Sequence, residues 1–178
     1  MKVVLDACVL YPTVMRQVLL GVASEGLFRP MWSARILEEW ARAAERDGGS
    51  ARAEIALLRD AWPRAELPPA PGLEARLWLP DDADVHVLAV AVAGSADAIM
   101  TVNAKDFPRG TLSEEGLMRV DPDGFLLRML GEAPEAVERV AADVLEDARR
   151  ASGAPWEMRA LMKKARLPRF GKALERGV

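Results

Sequence analysis

Apolar positions along this chain follow two periods, and the shorter one opens it. Val3-Val4-Leu5 is an unbroken apolar run that ends in a carboxylate, Asp6. So short a run predicts a central strand of a parallel sheet, covered on both faces. Ala98-Ile99-Met100-Thr101 predicts a second buried strand, Leu27–Trp32 a short strand or extended segment, and Leu117–Val120 a last edge strand. Between these runs the apolar period is helical. Pro12 and Thr13 open a helix to about Ala23, with Val14, Val18, Leu19 and Val22 on one face, and Gly26 stops it. Ser33 is a good N-cap for a helix to about Arg46, ended by Gly48-Gly49. Ser50 starts another, to about Trp62, with Ile55, Leu57 and Leu58 as core candidates. Further helices are predicted over Asp84–Ala93 and Pro122–Leu130. Another runs from Pro134 to about Arg150 on the stripe Val137, Val140, Val144, Leu145 and Ala148, broken by Gly153, and a last one covers roughly Trp156–Lys164. Ala7–Pro12 reads as a strand exit. Pro63, Pro68, Pro69, Pro71 and Pro80 make 63–80 mostly extended or looped, with room for one short strand.

Strand, helix and strand in alternation predict an α/β fold built on βαβ units. In such sheets the functional crevice lies beyond the carboxyl ends of the strands. Asp6 sits at one such end, and the loop Thr101–Pro108, carrying Asp106, sits past another.

Composition narrows the chemistry. A chain of 178 residues, 51% hydrophobic, can build a sizeable core. The longest apolar run, Val87–Gly94, is too short to span a bilayer, and Asp6 interrupts the segment where a signal peptide would stay apolar. The single cysteine, Cys8, excludes an intrachain disulfide and fits a reducing cytoplasm. One histidine and one cysteine make a zinc site of the usual His/Cys type improbable, so any metal would take oxygen ligands and be Mg²⁺ or Mn²⁺. The net charge of −3 is uneven: residues 159–178 hold seven basic side chains against one acid, Glu175. Seventeen basic and twenty-six acidic residues precede them, a net of −9. A basic tail on an acidic body suits a polyanion, and equally a solvated C-terminus.

Four acids can reach the rim: Asp6, Glu39 in the helix after Ser33, Asp84 at a helix start, and Asp106. Carboxylates gathered together repel and shift each other's pKa values, and a divalent cation relieves that repulsion. Such a cation can activate water and stabilise the leaving oxygen of a phosphodiester. Ordinary explanations compete: Asp81 and Asp82 read as helix-start charges, Asp106 equally as a turn residue, and Glu38 as a solvated neighbour about 100° round the helix from Glu39. His86, inside an apolar helix run, reads as a packing or capping residue rather than a base. The five tryptophans read mostly as core or interface.

The segments Val3–Ala7, Trp32–Trp40, Pro80–Ala89 and Thr101–Pro108 resemble, in order and spacing, the motifs of PIN-domain ribonucleases, in particular the VapC-type toxins of bacterial toxin–antitoxin pairs. The resemblance covers about residues 1–130; the helices after it are similar to the extension carried by one subgroup. It implies a three-layer α/β/α sandwich with a central, mostly parallel sheet over 1–130 and a C-terminal helical extension over 131–178. It also implies Mg²⁺- or Mn²⁺-dependent hydrolysis of RNA and inhibition by a small antitoxin, and it leaves a homodimer open. By position, Asp6, Glu39, Asp84 and Asp106 match the family acids, with Asp6, Asp84 and Asp106 as metal ligands. Thr101, Asn103 and Cys8 fall where substrate contacts or supports for the ligands are expected. Two positions depart from the pattern: Cys8 stands where the family usually has Asn, and Asn103 where many relatives have Asp. The rival reading is a PIN-like module that binds RNA or a partner through a degenerate site. A phosphatase of the haloacid-dehalogenase type would want a second Asp at the position of Cys8.

Overall fold

The computed structural model describes residues 1–176; the last two residues of the expected 131–178 extension lie outside the described residues. Five strands form one sheet: β1 (Lys2–Leu5), β2 (Arg29–Ser33), β3 (Glu66–Leu67), β4 (Ala98–Met100) and β5 (Met118–Val120). Their order is β3-β2-β1-β4-β5 and every pair is parallel. The apolar run that opens the chain is thus the middle strand. Val3, Val4 and Leu5 are fully buried, as are Ala98, Ile99 and Met100 beside them, which is what an unbroken apolar strand requires. Strands alternate with helices along the chain, the element order of an α/β/α sandwich with helices added at the C-terminal end.

The register places the rim. Leu5 pairs with Met100, so Asp6 and Thr101 leave the sheet side by side. The Asp6 N–H still donates to the Met100 carbonyl at 3.1 Å, and Thr101 N–H to that of Val120 at 3.2 Å. The chain then does not run out as a plain strand exit. The Asp6 carbonyl accepts from Val9 and Leu10, starting α1 (Ala7–Leu10), a single turn that buries both apolar residues. Burying Val9 and Leu10 explains the departure from expectation.

In the same unit lie α3 (Ala34–Arg46), α4 (Arg52–Ala61), α5 (Pro71–Glu74), a 3₁₀ turn (Asp82–Asp84), α6 (Val85–Ala93) and α7 (Arg109–Glu114), with α2 (Thr13–Ser24) between β1 and β2 in sequence. Ser33 caps α3 as expected, its hydroxyl accepting from Ile36 N–H. Helix α4 buries Ile55 and Leu58, but Leu57 is 70% exposed. Leu57 lies two residues from Ile55, about 200° round the helix, so it faces the other way. The proline-rich 63–80 contains β3 and the short α5.

α8 (Pro122–Glu132), α9 (Pro134–Ser152), α10 (Met158–Lys164) and α11 (Pro168–Arg176) complete the chain. By contacts the chain forms two units: Met1–Tyr11 with Phe28–Val120, and Pro12–Leu27 with everything from Asp121. The first holds the sheet. In the second, α2 packs on α8 and α9, and Gly21 permits close approach, since a Cβ there would lie 2.5 Å from Val140 Cγ1. Gly153 ends α9 at φ 66°, the left-handed turn glycine accepts readily. The basic tail is itself helical: α11 buries Phe170 and Gly171. Among the described residues no helix is long and apolar enough to cross a membrane.

Candidate metal centre

Asp6 anchors the rim. It is only 6% exposed, and two donors meet on one of its oxygens: Thr101 Oγ1 at 2.7 Å and Cys8 Sγ at 2.9 Å, both to Oδ2. Both donors follow from local geometry. Thr101 is brought alongside by the β1–β4 register, and Cys8 by the single turn of α1. Cys8, which departs from the Asn usual in the resemblance, therefore still supplies a hydrogen bond to the first acid. Burial, then the Asp6 charge and the bond to it, push the Cys8 thiol up to about 12. The thiol stays protonated and donates; it is no thiolate ligand or nucleophile.

Thr101 extends the network, its hydroxyl accepting from Asn103 N–H at 3.0 Å. Asn103 Nδ2 in turn donates to Asp106 Oδ2 at 2.6 Å. Asn103 thus orients a carboxylate and does not take the place of one. Arg119, on β5, donates to the carbonyls of Ala104 and Phe107, the latter at 2.9 Å, and so spans the loop that carries Asp106.

Asp84 leads from the 3₁₀ turn into α6. Its carboxyl is raised from the ordinary value of 3.8 to about 6. Burial is the largest cause, followed by the negative charges of Asp6, Asp81, Asp106 and Glu39. Acids far apart in sequence therefore share one electrostatic environment. Carboxylate oxygens of Asp81, Asp84 and Asp106 lie within 4.8 Å of one another. Asp81 is the residue that sequence reasoning passed over. It does cap the turn, accepting from Ala83 N–H at 2.9 Å, but it also stands in the cluster. The only signal was its place in the run Asp81-Asp82-Ala83-Asp84, where a capping role was sufficient explanation.

Glu39 approaches from α3. His86 Nε2 lies 2.8 Å from its Oε1, yet neither ring nitrogen makes a hydrogen bond among the described residues. His86 is 2% exposed and packs on Glu39 from within α6. Arg35 Nε is 3.6 Å from the same Glu39 oxygen, and Arg35 Nη2 donates to the Ala83 carbonyl at 3.2 Å. Glu38 points elsewhere and pairs with Arg42 and Arg52.

The donor set suits a hard cation. It consists of carboxylates, with the thiol protonated and the imidazole turned to Glu39, which favours Mg²⁺ or Mn²⁺ over zinc. Oxygens on one octahedral ion at ~2.1 Å stand ~3 Å apart when adjacent and ~4.2 Å when opposite, so three carboxylates within 4.8 Å would draw together to hold one ion.

A family profile described as PIN domain matches residues 2–105, more than half the chain. A curated protein of Mycobacterium tuberculosis (strain ATCC 25618 / H37Rv), named "Putative ribonuclease VapC50", is 38% identical over 63 residues. The matched stretch is 35% of this chain and 37% of that protein. No solved structure matches.

Proposed function

The chain belongs to the PIN domain family, and from that premise we propose that it is a metal-dependent endoribonuclease, the toxin of a toxin–antitoxin pair. The observation that carries the reading is the raised Asp84 carboxyl. Burial raises it most, and the negative charges of Asp6, Asp81, Asp106 and Glu39 raise it further. A fold keeps so costly a grouping when a cation completes it.

Asp6, Asp84 and Asp106 would hold Mg²⁺ or Mn²⁺, with Asp81, which stands within 4.8 Å of Asp84 and Asp106, as a further ligand. The ion, when bound, neutralises these acids and supplies an activated water and a stabilised leaving oxygen at an RNA phosphodiester. The protein's own part is orientation. Thr101 and Cys8 fix Oδ2 of Asp6, whose Oδ1 has no hydrogen bond among the described residues. Asn103 fixes Asp106. Glu39, held beside His86 and near Arg35, is placed to take a proton from an attacking water. The name of the curated relative, a ribonuclease, supports RNA as substrate. Residues 1–130 form the nuclease portion and 131–178 the extension, whose basic residues suit a polyanion. The partner is a small antitoxin that covers the acidic rim in the cytoplasm.

The test is cleavage of structured RNA by purified protein with Mn²⁺, with Mg²⁺ and with chelator. We expect cutting only with metal. Asp6→Asn and Asp84→Asn should each lower the rate by at least about 100-fold while the far-ultraviolet spectrum is unchanged. Cleavage that survives chelator, or either substitution, removes this reading. RNA binding without cleavage under all conditions would favour the binding-module reading.

A further inference from the structure

We propose that Arg119 is a positioning residue for the nuclease site: its guanidinium fixes the turn that presents Asp106 to the other acids. The inference rests on the nuclease reading for what the site does, and on geometry for what Arg119 holds.

Arg119 lies in the middle of β5, the edge strand. One nitrogen, Nη1, donates to two backbone carbonyls, those of Ala104 and Phe107. These two residues bracket Lys105-Asp106, so the bonds close the turn on both sides of the acid. Residues 101–106 have no regular secondary structure, and their backbone carbonyls have no ladder to satisfy them. A charged donor meeting two such carbonyls makes stronger bonds than a neutral one. The opposite wall of the same loop is tied through Thr101 and Asn103 to Asp6. The Asp106 carboxylate, bonded by Asn103, is thereby fixed in the direction of Asp81 and Asp84. Phe107 is fully buried behind it, so the turn is anchored by its apolar side chain on one side and by the guanidinium on the other.

Arg119 makes no ion pair among the described residues. Its charge is not spent on a carboxylate, and removing it leaves no unpaired acid behind. The effect of a substitution should therefore fall on the loop. Groups that orient ligands typically change metal affinity or activity by 10–100-fold when removed.

The experiment compares wild type, Arg119→Gln and Arg119→Lys in the full chain. Three quantities are read: amide exchange of the peptide covering 101–108, the Mn²⁺ dissociation constant, and the rate of RNA cleavage against Mn²⁺ concentration. We expect Arg119→Gln to speed exchange in 101–108 but not in 85–93. Its half-saturating Mn²⁺ should rise about tenfold, with much of the rate recovered at saturating metal. Arg119→Lys should recover part of the loss, because a single nitrogen makes both bonds in the wild type and an ammonium can do the same. Unchanged exchange in Arg119→Gln overturns the inference, as does loosened exchange with unchanged Mn²⁺ affinity. A general fall in stability that speeds exchange everywhere would mark Arg119 as structural only and also overturn it. A wild-type chain that neither binds Mn²⁺ nor cuts RNA overturns the nuclease reading instead. The exchange measurement then still decides whether Arg119 holds the loop.

Discussion

Cys8 is the residue whose reactivity the fold changes most. The thiol is half-buried, faces a carboxylate, and is pushed up to about 12. At pH 8 a free cysteine near pKa 8.5 is about one-quarter thiolate, whereas this one is ionised at roughly one part in 10⁴. Alkylation by iodoacetamide in the native protein should therefore be slower than in urea by on the order of 1,000-fold. Because Cys8 is the only cysteine, whole-protein mass spectrometry reads the modification directly. Native labelling as fast as unfolded labelling would show that the thiol does not donate to Asp6. At this scale the rim itself was legible, because Asp6 follows directly on an apolar strand and parallel strands bring their carboxyl ends to one edge. The hydrogen-bond partners were not. That Cys8 meets Asp6, and that Asn103 turns to Asp106, depends on a one-turn helix and a loop whose shapes no periodicity records.

At the scale of elements, α11 depends on a residue far from it in sequence. The first turn of any helix leaves N–H groups without partners. Here the Asp123 carboxylate, buried on α8, accepts from Arg169 N–H at 3.1 Å and Phe170 N–H at 2.9 Å. Gly171 lets α11 approach α10, since a Cβ there would lie 2.7 Å from Met162 Cβ. Asp123→Ala should cost about 1–2 kcal/mol in a urea titration, and Asp123→Asn, which keeps one acceptor, less. Exchange should quicken at 168–176 and stay unchanged in β1 and β4. Equal protection of α11 in Asp123→Ala and wild type would sink the assignment. This arrangement also explains why α11 was not read from sequence. Its cap lies more than forty residues upstream, it falls in the basic tail, and Gly171 reads as a break. The two central strands, by contrast, were legible almost to the residue, because Val3–Leu5 of β1 and all of β4 are apolar and such segments belong in the middle of a sheet. Helix α7 escaped for a third reason: it is six residues long and buries only Leu112, so it has no apolar stripe to show.

For the whole molecule, the acid cluster makes stability depend on pH, and the proposed metal site would make it depend on a cation as well. The folded Asp84 carboxyl titrates near 6 and the unfolded one near 3.8, so between those values the folded chain holds a proton the unfolded chain has released. By linkage, the stability this group contributes is fully present below about pH 4 and is lost as pH rises through 6. Asp84 is partly exposed, so solvent screening reduces the effect to the order of 1 kcal/mol. A cation bound to the folded state alone acts in the opposite direction at neutral pH, stabilising by about 2.7 kcal/mol at a concentration of 100 Kd. For a chain of this length that raises Tm by roughly 5–10 °C. Mn²⁺ should therefore raise Tm at pH 7.5 and have much less effect near pH 4, where Asp84 carries a proton. Metal-free Asp84→Asn should be more stable than wild type at pH 7.5, match it near pH 4, and show little response to Mn²⁺. A shift of equal size at both pH values, or one retained in Asp84→Asn, would mean that the cation binds elsewhere and that the five acids repel one another without holding it.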